Sequence, residues 1–187
     1  MKKTLFLIMM LCCHIVAVAQ MSCRAIEKYS TEAVKQIALT GRTPTIDILD
    51  SLANNAEVSI EMLSRMGDAD DVRQQHACLK LIDDIVAYSL KPTGMKYVDV
   101  VRQGLKKAVD RSYEPDVQQH VLEQLALVAK PNDVAHVAMY LEVDQLAPTV
   151  AQMLVAMPDI DDRLAEAAKT NPAVKEKLLA VISARRG

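Results

Sequence analysis

Histidine and cysteine are the residues of this chain that could bind a metal ion or perform nucleophilic chemistry. A zinc site on one helix needs two histidines four residues apart, so that both rings share a face. His76 and Cys78 are instead two residues apart and would point to different faces, while His120 and His136 belong to different predicted helices. Residues 12–14, which hold the other histidine and two cysteines, belong to the N-terminal segment considered below. We therefore predict no metal site.

A nucleophilic enzyme would need a cysteine or serine beside a histidine and an orienting acid. Cys78 shares a helix face with Leu81 and Ile85, so its thiol is expected to be buried and inert. Adjacent acids occur at 70–71, 83–84 and 161–162, but neighbours on a helix diverge by about 100°, which suits capping and solvation better than paired catalysis. No phosphate loop or nucleophile elbow is present. We expect no catalytic residue, no cofactor and no enzymatic activity.

The strongest pattern is an apolar signature that occurs three times between Glu114 and Ile182. Its positions have offsets 0, +4, +5 and +8, which places them on one stripe of an α-helix, and successive copies start 29 and 28 residues apart. The copies are Val117, Val121, Leu122 and Leu125; Leu146, Val150, Ala151 and Leu154; and Val174, Leu178, Leu179 and Ile182. One helix pair cannot bury such a stripe alone, so copies must stack. The pattern predicts an all-α protein, a right-handed α-solenoid of stacked short helix pairs.

Helix boundaries are marked by residues that favour helix ends. Gly41 is placed to end the first helix, and Asp70 or Asp71 to cap the longest one. Gly104 lies inside a predicted helix, where it costs about 1 kcal/mol against alanine and so indicates a close helix crossing. Four prolines mark helix starts, namely Pro115, Pro131, Pro148 and Pro172. We expect eight to ten helices in total.

The first nineteen residues have the pattern of a cleavable signal peptide. Lys2 and Lys3 precede an almost wholly apolar run at 4–18, and Ala17-Val18-Ala19 is a small-x-small cleavage site. The pattern predicts that residues 1–19 form a signal peptide, which is cut between Ala19 and Gln20. Residues 20–187 are then one helical repeat domain, and we expect it to be periplasmic or secreted. An uncleaved anchor is the alternative, although the run is shorter than the roughly 20 residues that span a bilayer. After cleavage we expect no stable membrane insertion.

Charge and composition argue against nucleic acid as a partner. The formal net charge is −2, and it falls to −4 without Lys2 and Lys3, with no basic stripe along the chain. Aromatic residues make up 3% and tryptophan is absent, which also disfavours common carbohydrate-stacking surfaces. Although export would permit a disulfide, we expect Cys23 and Cys78 to stay free, because Cys78 is predicted to be buried and Cys23 lies near a chain end.

Residues 117–129, followed by Pro131 and Val134, resemble the bacterial short form of the HEAT repeat. A wider stretch, roughly 46–182, resembles the helical region that precedes lectin-like domains of the 3-keto-disaccharide hydrolase type in exported bacterial proteins. The residues that carry this resemblance are Ile85-Val86-Ala87-Tyr88, Val101-Arg102-Gln103-Gly104-Leu105 with Ala108, Val121-Leu122-Glu123-Gln124-Leu125, Tyr140-Leu141 and Leu146-Ala147. It implies a HEAT-like fold and an association with glycan processing. The sequence to Gly187 holds no β-rich domain of that type, so no hydrolase residue is assigned.

These observations favour an exported, non-catalytic α-solenoid that acts as a protein-binding or assembly scaffold. We expect its partner to be another envelope protein, and its oligomeric state stays open. The alternative is an accessory module of a carbohydrate-processing system that works with a separate hydrolase. A third possibility is a remnant of a larger protein, with no partner.

The repeat also predicts where a partner would bind, because equivalent positions of stacked helices align into a ridge. Five polar residues lie three or six positions after the start of each signature, namely His120, Glu123, Thr149, Gln152 and Lys177, with Ala180 as the sixth position. We call these five residues the candidate ridge. The alternatives are an ordinary solvated surface, or binding on the opposite face around His136 and Arg163.

Overall fold

The protein is all-α: the described backbone forms helices and turns and contains no strand. The computed structural model describes residues 23–67, 71–112 and 114–186, so the predicted signal peptide and its cleavage site lie outside the described residues. The α-helices are α1 (23–40), α2 (Ile46–Asn54), α3 (Ala56–Gly67), α4 (Val72–Ser89), α5 (Val98–Arg111), α6 (Pro115–Ala126), α7 (Val134–Ala138), α8 (Ala147–Ala156), α9 (Asp161–Thr170) and α10 (Lys175–Arg186). Short 3₁₀ turns occupy Met95–Tyr97, Pro131–Asp133, Met139–Glu142 and Pro172–Val174.

Several helices begin or end at the capping and proline residues that the sequence indicated. The Asp71 side chain caps α4 by accepting from the backbone N–H groups of Arg73 and Gln74 at 2.9 and 3.3 Å. Gly41 ends α1 with a positive φ of 66° and donates its N–H to the carbonyl of Ile37 at 2.7 Å. All four prolines lie in the first two residues of a helix or 3₁₀ turn. These predictions are confirmed, because caps and prolines act through local geometry.

The helices pack in the order of the chain, in two alternating series. In one series α2 contacts α4, α4 contacts α6, α6 contacts α8 and α8 contacts α10. In the other, α3 contacts α5 and α7 contacts α9. The series are joined by contacts between successive helices, of which α3 with α4, α5 with α6 and α9 with α10 are extensive. We call the series α2, α4, α6, α8 and α10 the even row, and the series α3, α5, α7 and α9 the odd row.

The apolar signatures form much of the core where the rows meet. Every position of the first signature is completely buried, as are Leu146, Val150 and Leu154 of the second. The third differs, because Leu179 is 50% exposed and Val181 is buried in its place. Val174 lies in a 3₁₀ turn, which rotates the chain by about 120° per residue instead of about 100°, so offsets counted from it no longer match those of α6. The inclusion of Leu179 in the apolar stripe was therefore wrong.

Helices α3 and α5 cross very closely at Gly104. A Cβ at this position would lie 2.5 Å from the backbone oxygen of Ala56, so only glycine allows the two backbones to approach this far. The close crossing predicted from Gly104 is confirmed.

A nearly buried carboxylate joins the same two helices. The Glu61 side chain on α3 is 8% exposed and pairs with Lys107 at 3.0 Å, with Arg111, and with Arg65 on its own helix. Burial alone would raise the pKa of Glu61, but hydrogen bonds from these three cations outweigh burial and lower the pKa to about 2. The group is therefore a permanent anion that ties α3 to α5.

Candidate partner-binding surface

The candidate ridge lies on three successive helices of the even row. His120 and Glu123 belong to α6, Thr149 and Gln152 to α8, and Lys177 to α10. Glu123, Gln152 and Lys177 are exposed, whereas His120 and Thr149 are half-buried. The sequence therefore identified positions on neighbouring packed helices, but it overestimated the exposure of two of them.

His120 is half-buried because it pairs with a residue of the preceding helix in the row. Its Nε2 lies 2.7 Å from Oδ1 of Asp83 on α4. The hydrogen bond to Asp83 raises the pKa of His120, against an opposing effect of burial, and the nearby charge of Glu123 raises it further. Asp83 therefore belongs to this surface, although the sequence suggested only that it was one of two neighbouring solvated acids.

Lys177 has a structural role, because its side chain already binds other residues of the protein. Its Nζ donates to the carbonyl of Leu141 at 2.7 Å and to Oδ1 of Asp144 at 3.2 Å. The lysine thus holds α10 against the 3₁₀ turn that precedes α8. Of the predicted five, Glu123 and Gln152 are the exposed residues best placed to contact a partner.

An apolar groove lies beside the ridge, between α8 and α10. It has a volume of about 370 Å³, and small or aliphatic side chains form most of its walls. Those residues are Leu141, Ala147, Ala151, Val155, Ala180, Val181 and Ala184, with Lys177 as the charged member. Alanine gives little signal in a hydrophobicity pattern, so the sequence did not reveal that two alanines on each helix leave a channel there.

The opposite face, around His136 and Arg163, contains a different arrangement. Arg163 is exposed on α9, whereas His136 is half-buried on α7. Burial lowers the pKa of His136, and the charge of Asp110, whose Oδ1 lies 3.4 Å from Nε2, offsets this in part. The Tyr140 hydroxyl donates a hydrogen bond to the same aspartate. These residues connect α5 to the α7 region, and we return to them below.

The remaining residues that could do chemistry are separated from one another. Cys78 is buried, and burial raises the pKa of its thiol to about 12, whereas Cys23 is exposed and both thiols are free. Over the described ranges, no three histidine, cysteine or acidic side chains come together as metal ligands. Likewise, none of the helices that the structure describes is both long and apolar enough to cross a bilayer.

Comparison with known proteins adds no relative. No protein-family model matches the chain, and neither a curated protein nor a solved structure is detectably similar to it. The described structure defines an all-α protein whose helices pack in the two rows described above.

Proposed function

We propose that this protein is an exported, HEAT-like α-solenoid that binds another envelope protein along the exposed side of its even row. The observation that carries the proposal is the succession α4, α6, α8 and α10, in which each helix packs on the next. Stacking of this kind aligns equivalent positions into a continuous surface.

The chemistry of that surface supports a protein partner. Lys177 lines the apolar groove between α8 and α10, and the row that holds this groove also carries the exposed Glu123 and Gln152 and the His120–Asp83 pair. Apolar area beside a polar rim is the usual composition of a protein-binding surface. The small alanine side chains of α8 and α10 would let an inserted side chain or helix approach the backbone closely.

Site-specific photo-cross-linking in the source bacterium tests this proposal. A photoreactive residue at Gln152 on the even row is compared with one at Arg163 on α9, and both positions are exposed. We expect position 152 to capture one envelope protein reproducibly and position 163 to capture none. Capture at 163 alone would move the binding surface to the opposite face, and no capture at either position would contradict the scaffold function. A captured glycoside hydrolase would favour the accessory role.

A charge variant provides an independent test with the same partner. The double substitution Glu123→Lys and Gln152→Lys changes two exposed side chains and leaves the buried signatures intact. We expect at least tenfold weaker binding, equivalent to about 1.4 kcal/mol, with an unchanged helical spectrum. Equal affinity in the double variant would remove this surface from consideration. Lys177 is left in place because its contact with Leu141 is structural.

A further inference from the structure

The odd row is interrupted between α5 and α7. Close packing joins α3 to α5, and α7 packs on α9, but α5 and α7 are not among the extensively packed helix pairs of the described chain. The even row has no such interruption, since α4, α6 and α8 contact in succession. We call the region between α5 and the segment 130–142 the seam.

Charged side chains span one end of the seam. Asp133 is 1% exposed and accepts hydrogen bonds from Arg102 and Lys106 of α5, each at 2.9 Å. Nearer the solvent, Asp99 pairs with Lys130 at 2.6 Å and with Arg102 at 3.2 Å. These bridges hold the two sides together through long side chains, so the backbones stay apart.

At the other end, the Tyr140 hydroxyl donates to Asp110 of α5. Nε2 of His136 is buried near the same aspartate but has no hydrogen-bond partner among the described residues. At the first end of the seam, Nε of Arg102 is likewise buried and lacks a partner among those residues. A buried polar group without a partner is costly, whereas water would satisfy it once the seam opened. Opening would therefore hydrate polar groups that are buried without a partner in the closed seam.

The segment 130–142, which faces α5 across the seam, contains little regular α-helix. Helix α7 has five residues and is flanked on both sides by 3₁₀ turns, which have poorer hydrogen-bond geometry than an α-helix. So short a helix has little stability of its own and depends on its neighbours.

From these four observations we infer that the helix array bends at the seam, where the α5 and α7 sides separate while the α6–α8 contact acts as the pivot. Because α6 carries Glu123 and α8 carries Gln152, bending changes the spacing of the two exposed ridge residues. The bending itself does not depend on the proposed binding function, and it can be measured without a partner.

Distances between spin labels on residues 20–187 test the inference. In a Cys23→Ser background, labels at Gln103→Cys on α5 and Ala135→Cys on α7 report on the seam, since both positions are exposed. Labels at Glu57→Cys and Gln103→Cys, across the tight α3–α5 crossing, are the matched control. The seam is then weakened by the double substitution Asp99→Asn and Tyr140→Phe, which removes one solvent-facing bridge and one hydroxyl.

We expect the seam distance in the double variant to broaden and lengthen by about 2 Å or more, a shift of the size seen in loop and domain rearrangements, while the control distance stays fixed. A second measurement needs no substitution beyond the two label sites: high salt, which screens exposed pairs such as Asp99–Lys130, should lengthen the seam distance in the same direction. An unchanged seam distance in both experiments would overturn the inference. Equal broadening of the control pair would also overturn it, because that result would indicate general loosening.

Discussion

His120 on α6 and Asp83 on α4 form a hydrogen-bonded ion pair across two neighbouring helices of the even row, with Nε2 and Oδ1 2.7 Å apart. The histidine side chain is 22% exposed and the aspartate 44%, so solvent screens the pair only in part. The contact joins residues 37 positions apart in the sequence, and it stabilises the row from which the proposed binding surface is formed.

This pair predicts a stability that depends on pH. The pKa of His120 in the folded protein is raised by its hydrogen bond to Asp83, above the unfolded value of about 6.5. The stabilisation is therefore complete below about pH 6.5 and is lost as the pH rises through the raised pKa. Asp83→Asn should remove about 1 kcal/mol at pH 6 and much less at pH 9, measured by urea unfolding.

The unfolding experiment must separate the contribution of His120 from that of His136, because the pKa of His136 is shifted in the opposite direction. Burial lowers the pKa of His136, so its contribution is present above the unfolded pKa and is lost as the pH falls. Subtracting the Asp83→Asn curve from the wild-type curve cancels the His136 contribution. His120→Gln should abolish the effect of Asp83→Asn in a double-mutant cycle, and an equal effect of Asp83→Asn in both backgrounds would contradict the pair.

We expect replacement of Gly104 by alanine to destabilise the protein, although alanine usually stabilises a helix relative to glycine. Alanine in a helix interior is normally about 1 kcal/mol more favourable than glycine, but a Cβ at Gly104 would lie 2.5 Å from the oxygen of Ala56. Gly104→Ala should therefore destabilise the protein by about 2 kcal/mol or more, measured by thermal or urea unfolding. Gly67→Ala on α3 is the matched control, because there the nearest atoms lie at ordinary contact distances of 3.8 Å. If both variants were equally stable, the close α3–α5 crossing would be wrong.

The sequence predicted the features of this fold that depend on local interactions. The cap at Asp71, the positive-φ glycine at Gly41 and the helix-starting prolines each act within a few residues of the chain. The repeat spacing also placed the ridge residues on α6, α8 and α10, which contact one another in succession, because periodicity determines which face of each helix is buried. These signals suffice for an all-α assignment and for the order of the elements.

The sequence could not reveal features that depend on distant residues. Nothing near His120 indicates that Asp83 covers it, and Asp133 shows only the pattern of a helix start although Arg102 and Lys106 bury it. The apolar residues at 134–141 do not indicate that α7 has only five residues and that 3₁₀ turns flank it on both sides. Side-chain pairing across the seam competes with helix propensity there, and the spacing of apolar residues carries no information about it.

In a protein that begins at residue 20, we expect the two cysteines to differ in how fast they react with a thiol reagent. Cys23 is exposed, whereas Cys78 is completely buried and its thiol pKa is raised to about 12 by burial. Because the thiolate is the reactive form, one thiol should react rapidly with a disulfide reagent under native conditions and the second only after denaturation. Cys23→Ser should abolish the rapid phase. A count below two in denaturant without reductant would reveal a disulfide and contradict the free thiols.

The last prediction compares two aspartates that both pair with Arg102 but differ in burial. Asp133 is 1% exposed and contacts Arg102 and Lys106, whereas Asp99 is 60% exposed and contacts Arg102 and Lys130. Asp133→Asn would leave two mostly buried cations without their shared anion, a change that costs about 3–5 kcal/mol for a buried pair. Asp99→Asn should cost much less than Asp133→Asn, because solvent and salt already screen that exposed carboxylate.

Urea unfolding at several pH values measures both effects and also tests the charge of Asp133. Burial would raise the pKa of Asp133, but the N–H of Lys130 and the side chains of Lys106 and Arg102 outweigh it, and the pKa is lowered. The stabilisation is then complete above the unfolded pKa of about 3.9 and is lost as the pH falls through the lowered folded value. The difference between wild type and Asp133→Asn should therefore be constant near neutral pH and shrink only in strong acid. Equal costs for the two aspartates would show that Asp133 is not the buried anchor of the seam.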